Sequence, residues 1–272
     1  MNLRESKNCN IYNLQKCESY LSLKKNSLIK YTFEIEKDKK FLNEISKQII
    51  YISKKFSYKK GIFRKKKISN IHEFSFLRIL IYCLIRHFKP FNILETGVYY
   101  GGNTVFILKA LSKNKKGKLT AIDLPDKQIR KKFKRNLNKY RHPSVLDSED
   151  YNEKLTPGFI IPEKYKSKLN IVLGEATSEV KKLKNKFDFY LHDSDHSYKY
   201  LLGEINEVEK KLNKSALMII DDIDWSNAFY KQVCDKKYYP IIFSDNGKDN
   251  LRSRIGLIYK NHPNNNKNSY TK

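Results

Sequence analysis

The chain has 272 residues, 40% of them hydrophobic, which suits one large domain with an added helical region and excludes a chain unable to bury a core. Its formal net charge of +26, from 55 basic and 29 acidic residues, fits a polyanionic partner or a coding sequence biased toward A and T. The lysines are spread along the whole chain rather than gathered in one stripe, which favours the bias and makes nucleic acid the lesser expectation. The four cysteines, Cys9, Cys17, Cys83 and Cys234, form no C-x-x-C pair and no zinc spacing. With a polar amino terminus that lacks a signal-peptide core, they lead to the expectation of a reduced, cytoplasmic protein. The most apolar long run, Phe74 to Phe88, carries Arg78, Arg86 and His87 and falls short of the ~20 residues a membrane span needs.

In chain order, residues 1–30 are polar and mixed, with no clear period. Residues 33–57 read as one helix, because Phe41, Ile45, Ile49, Ile52 and Phe56 recur at three- and four-residue steps. Lys54 to Lys67 reads as a basic loop. A second helix is expected from Asn70, which caps it with Glu73 completing the box, and Pro90 ends it. Strands are then predicted at 92–95, 118–124, 169–173, 187–193, 216–221, 240–244 and 253–259. Helices are predicted near 103–112, 126–140, 176–184, 197–212 and 226–236. Apolar strands alternating with helices predict a mostly parallel sheet covered on both faces. The last two strands, joined through Asp245, Asn246 and Gly247, are expected to form an antiparallel hairpin at its edge. The irregular stretch 142–168 reads as a lid or substrate loop, and the Asn- and Lys-rich tail from Asn261 as disordered.

The segment Phe91 to Thr104 reads as a buried strand, a glycine turn and a helix start. An open parallel sheet builds a nucleotide-like site at the carboxyl ends of its strands in this way. Gly97 and Gly101 would permit unusual backbone angles and close ligand approach. Glu95 can accept from a hydroxyl or an ammonium. Asp123, 28 residues after Glu95, closes the second strand where an acid can reach ribose hydroxyls; a helix-capping or turn aspartate is the alternative. Two acidic clusters end successive strands: Asp193 in His192-Asp193-Ser194-Asp195-His196, and Asp221-Asp222 before Ile223. Such strands lie ~4.8 Å apart if adjacent, so Asp193, Asp221 and Asp222 would converge and a divalent cation would relieve their repulsion. Solvent-facing helix caps are the alternative. His196 is the candidate general base, and His192 is expected to pack behind the site.

These motifs, in this order, resemble a class I S-adenosylmethionine-dependent methyltransferase. More narrowly they are similar to the metal-dependent small-molecule and sugar O-methyltransferases, over about residues 90–260. The resemblance implies a Rossmann-like, doubly wound α/β fold. It has a seven-stranded, mostly parallel sheet with an antiparallel edge strand. Outside the resemblance, an amino-terminal helical extension over 1–70 is expected to cap a domain at 71–260, with the tail at 261–272. The resemblance implies S-adenosylmethionine as cofactor, contacted by Glu95, Gly97, Gly101, Asn103, Thr104, Asp123, Glu175 and Ala176. It also implies magnesium at Asp193, Asp221 and Asp222, and His196 with Asp193 as the catalytic groups. Glu175 stands where Asp is usual, and Ser194 where the sugar enzymes commonly have Gly. The acceptor implied is a small molecule or glycan, and the chain could pair as a homo-oligomer through its amino-terminal helices. The rival readings are a nucleic-acid methyltransferase and a non-catalytic relative that binds the cofactor.

Overall fold

The computed structural model describes residues 3–55, 70–124, 157–244 and 254–267. The predicted helix at 126–140, the first part of the 142–168 loop, the 245–253 turn and residues 268–272 lie outside them.

Seven strands form one sheet: β1 (Asn92–Thr96), β2 (Lys118–Asp123), β3 (Leu169–Leu173), β4 (Phe187–His192), β5 (Leu212–Ile220), β6 (Pro240–Ser244) and β7 (Arg254–Tyr259). Their order is β3-β2-β1-β4-β5-β7-β6. The chain reverses direction across the sheet between β1 and β4, which are neighbours on opposite sides of that switch. Strands β1 to β5 are parallel, and β7 is antiparallel to both β5 and β6. The expected hairpin is therefore present, with its antiparallel strand one place in from the edge. Strand β5 begins at Leu212, earlier than expected, because Leu212 pairs with Phe187 across a register shift.

Alternation along the strands divides the core in two. Ile93, Leu119, Phe189, Leu191, Leu217 and Ile219 face one cluster, while Leu94, Ile122, Tyr190, Met218 and Ile220 face the other. Helices α4 (Phe76–Phe88) and α5 (Thr104–Asn114) cover the first face. Helices α6 (Ala176–Lys182), α7 (Tyr198–Glu209) and α8 (Ala228–Lys236) cover the second. The amino-terminal helices α1 (Leu3–Tyr20), α2 (Ile29–Lys37) and α3 (Lys39–Lys55) share the first cluster with α4 and α5.

Four expectations change here. Residues 3–20 are helical despite their mixed sequence, because Asn10, Asn13 and Glu18 lie on the buried side with Leu14 and Cys17 and blur the period. The expected helix 33–57 is broken at Asp38, whose side chain accepts from the Phe41 N–H (3.1 Å) at the start of α3 and pairs with Lys109 (2.5 Å). The tail expected to be disordered is placed through residue 267. His262 is buried, stacked 4.5 Å from Tyr20 with its Nε2 on the Tyr20 carbonyl, and composition cannot show such contacts. Asn70 does cap with Glu73, but around a 3₁₀ turn, and α4 begins at Phe76.

Among the described residues no helix is long and apolar enough to cross a membrane.

Candidate active site

The site residues gather at the carboxyl ends of β1, β2, β4 and β5. Gly97 follows β1 at φ +86°, and a Cβ there would fall 1.9 Å from the Asp193 carbonyl oxygen. Gly101, at φ +97°, faces Ile161 and Gly158, with a Cβ 2.8 Å from Ile161 Cγ1. Both glycines are thus required by protein crossing protein: the end of β4 at Gly97 and the segment 158–161 at Gly101. That segment is fastened by Gly158 and Ile160 N–H bonds to the Tyr99 and Tyr100 carbonyls (2.8 and 3.2 Å). The sequence alone had assigned the glycines to unusual backbone angles, which both adopt, and to close ligand approach.

Asp123 closes β2 and turns inward. One carboxylate oxygen accepts from the N–H groups of Val98 (2.9 Å) and Tyr99 (2.5 Å), and the other from Leu124 (2.6 Å). It organises the glycine turn. Glu175 is the N-cap of α6, accepting from Thr177 (3.0 Å) and Ser178 (2.7 Å). Burial works to raise its carboxyl, but these bonds win and hold it below the usual range. Ala176 N–H donates to Tyr200 (3.2 Å).

Glu95 is different. It is wholly buried at the end of β1, and among the described residues neither carboxyl oxygen has a hydrogen-bond partner. The Thr104 hydroxyl, also buried and without a partner among the described residues, is near enough to favour the charged form, yet desolvation dominates. Asp193 and Asp123 add repulsion, and the Glu95 carboxyl is pushed well above its ordinary value.

Asp193 follows β4, its N–H bonded to the Thr96 carbonyl (2.9 Å). One oxygen accepts from Asn103 Nδ2 (2.7 Å), and the other lies 3.9 Å from His196 Nε2. Desolvation pushes its carboxyl up to about 7; His192 and Arg78 oppose the rise, while Asp222 and Asp123 add to it. The side chain keeps 31% of its surface exposed, and solvent there moderates the rise. His196 is buried, with its ring perpendicular to His192 (centroids 5.1 Å) and stacked on Trp225 (6.2 Å).

The expected metal ligands are brought to one sheet edge, with Asp222 close enough to repel Asp193. They are not brought onto one ion: among the described residues no three His, Cys, Asp or Glu side chains are placed to share one. Asp193 instead turns to Asn103.

Glu204 was missed. From α7 it reaches the end of β4, wholly buried, and binds His192 Nδ1 (2.9 Å), Tyr190 (2.5 Å), Thr96 (2.5 Å) and Ser194 (2.8 Å). Burial works to raise its carboxyl, but the His192 ring and these bonds outweigh it and hold it below the glutamate range. A signal was available, since Glu204 falls on the apolar stripe of Leu201, Ile205 and Val208. The network fixes the strand end from which Asp193 projects. Glu204→Gln is expected to cost about 2 kcal/mol in urea unfolding at pH 7. The stabilisation by a depressed acid exists above the unfolded value of about 4.3 and disappears as pH falls below it, so the difference between the two proteins should shrink in acid. Equal stability at pH 7 would contradict this account of the network.

Residues 94–223 match the family described as a methyltransferase domain. No curated protein matches the chain in sequence. Solved structures do match. The O-methyltransferase from Bacillus cereus in complex with SAH is 13% identical, with 92% of this chain and 100% of that chain covered and a TM-score of 0.49. The O-methyltransferase TomG from Streptomyces achromogenes, involved in tomaymycin synthesis and in complex with SAM, is 12% identical over 82% and 98%, with a TM-score of 0.46. An rRNA methylase from Streptococcus thermophilus is 11% identical over 62% and 86%, with a TM-score of 0.39. The match over residues 94–223, just under half of the chain, makes that stretch similar to a methyltransferase domain, and the sheet order and the strand-end acids described above agree with it.

Proposed function

We propose that the chain methylates an oxygen, that of a hydroxyl on a small molecule or sugar, using S-adenosylmethionine. The observation that carries this reading is Glu95: a buried acid with two idle oxygens at the carboxyl end of β1, suited to the ammonium of an amino-acid head. Asp123 stands at the end of the neighbouring strand, where an acid can reach ribose hydroxyls. The bound cofactor supplies an activated methyl group on a sulfonium.

The chain's own work is placement and proton removal. An acceptor hydroxyl must sit in line with the methyl group and lose its proton. His196 and Asp193 border the same edge, and an imidazole is the natural proton acceptor at neutral pH. At 3.9 Å the two do not hydrogen-bond, so closure on an acceptor would draw them together. The 157–168 segment and the amino-terminal helices would exclude water over the acceptor.

Magnesium is a separable part of this proposal. It needs Asp221 and Asp222 to turn toward Asp193, and no step above runs through it. Release of S-adenosylhomocysteine with a panel of sugar and phenol acceptors tests the main reading; no release with any of them would leave a non-catalytic cofactor binder. The same assay in EDTA tests the ion: loss restored by magnesium supports it, and full turnover in chelator removes it. The net charge of +26 favours the second reading, an RNA acceptor. It predicts RNA methylation together with RNA binding that weakens steeply with salt.

A further inference from the structure

Arg78 enters the carboxyl end of the sheet from the first turn of α4. Its Nε donates to Asn103 Oδ1 (3.2 Å) and its Nη2 to the Tyr100 hydroxyl (2.7 Å). The guanidinium lies across Gly102, where a Cβ would fall 2.7 Å from Nη2, so the bare backbone there is its seat. Arg86 has Glu34 and Arg254 has Asp224 as counter-ions, but among the described residues no carboxylate lies within 4 Å of Arg78. A guanidinium is always charged and has five N–H donors. Two are used, and no other described residue takes the remaining three.

Around the start of α5 there are therefore two unmatched groups of opposite kind. Glu95, with Thr104 beside it, has idle acceptors; Arg78, bonded to Asn103, has idle donors. An α-amino acid carries an ammonium and a carboxylate on one carbon. Its ammonium suits Glu95, and its carboxylate suits a planar guanidinium at a helix amino terminus. We propose that Arg78 binds the α-carboxylate of the methionyl part of the cofactor, as the counterpart of Glu95. This rests on reading the cleft as the cofactor site. Asn103, bonded to both Arg78 and Asp193 (2.7 Å), then links the cofactor's head to the acid at the acceptor side.

The test is calorimetric titration of the wild type, Arg78→Met and Tyr100→Phe with three ligands: S-adenosylhomocysteine, its decarboxylated analogue, and 5′-methylthioadenosine, which lacks the amino-acid head. Melting curves report on folding. Arg78→Met should bind S-adenosylhomocysteine about 10- to 100-fold more weakly. It should bind the decarboxylated analogue and methylthioadenosine as the wild type does. Tyr100→Phe keeps the guanidinium and should stay within about threefold of the wild type for all three. Unchanged affinity of Arg78→Met for S-adenosylhomocysteine overturns the proposal, as does equal weakening of all three ligands or a Tyr100→Phe loss as large as that of Arg78→Met. Failure of the wild type to bind any of the three ends the cofactor reading, and this proposal with it.

Discussion

His196→Ala should lower kcat by about 10²- to 10⁴-fold while leaving the dissociation constant for S-adenosylhomocysteine within about threefold. The expectation follows from where the ring sits. It is buried against His192 and Trp225, with Nε2 3.9 Å from an Asp193 carboxylate oxygen. Removing it takes away a proton acceptor and leaves the Glu95–Asp123 side intact. Because the ring is packed, the variant's melting temperature must be compared with the wild type before rates are read. His196→Gln, which fills more of the space, separates lost packing from lost basicity: it should restore stability and not turnover. Wild-type turnover in either variant would show that another group takes the proton.

Glu95→Gln should move binding and stability in opposite directions. Removing one charge of a buried ion pair costs about 2–5 kcal/mol, so affinity for S-adenosylmethionine should fall by about 30-fold or more. The unliganded protein should become more stable. In the fold the Glu95 carboxyl holds its proton to well above its ordinary value, whereas the unfolded chain releases it near pH 4.3. Between those two values the folded state binds the extra proton, so wild-type stability falls as pH rises through that window. Glutamine does not titrate, and the variant should lack that part of the slope. Melting temperature should therefore rise at pH 7–8, by about 2–4 °C for each kcal/mol recovered, and the gain should vanish near pH 4. A variant that binds the cofactor as the wild type does would remove Glu95 from the site.

Much of this was legible along the chain because parallel strands buried on both faces are short apolar runs with sharp ends. The limits of β3 and β6 could be read directly, and the acids at the ends of β1, β2, β4 and β5 fell on one sheet edge as the alternation required. What escaped depended on partners distant in sequence. Gly97 is glycine because the Asp193 carbonyl lies against it, 96 residues on. Helix α1 hid its face behind buried asparagines, one of which bonds the carbonyl of Ser244 (3.3 Å). Glu204 and Arg78 were visible as charged residues within apolar helices. Only the fold shows that the first is fully engaged by four side chains while the second has no carboxylate within 4 Å among the described residues. The acidic clusters were read correctly as neighbours, but side-chain direction decides whether neighbours share an ion, and spacing along strands does not encode it.

Calorimetric titration of S-adenosylmethionine into the full-length protein tests the central claim most directly. The account predicts saturable binding of one molecule per chain, with a dissociation constant on the order of micromolar, abolished or strongly weakened in Glu95→Gln. Absence of binding by a folded wild-type protein, or binding indifferent to Glu95, would contradict it.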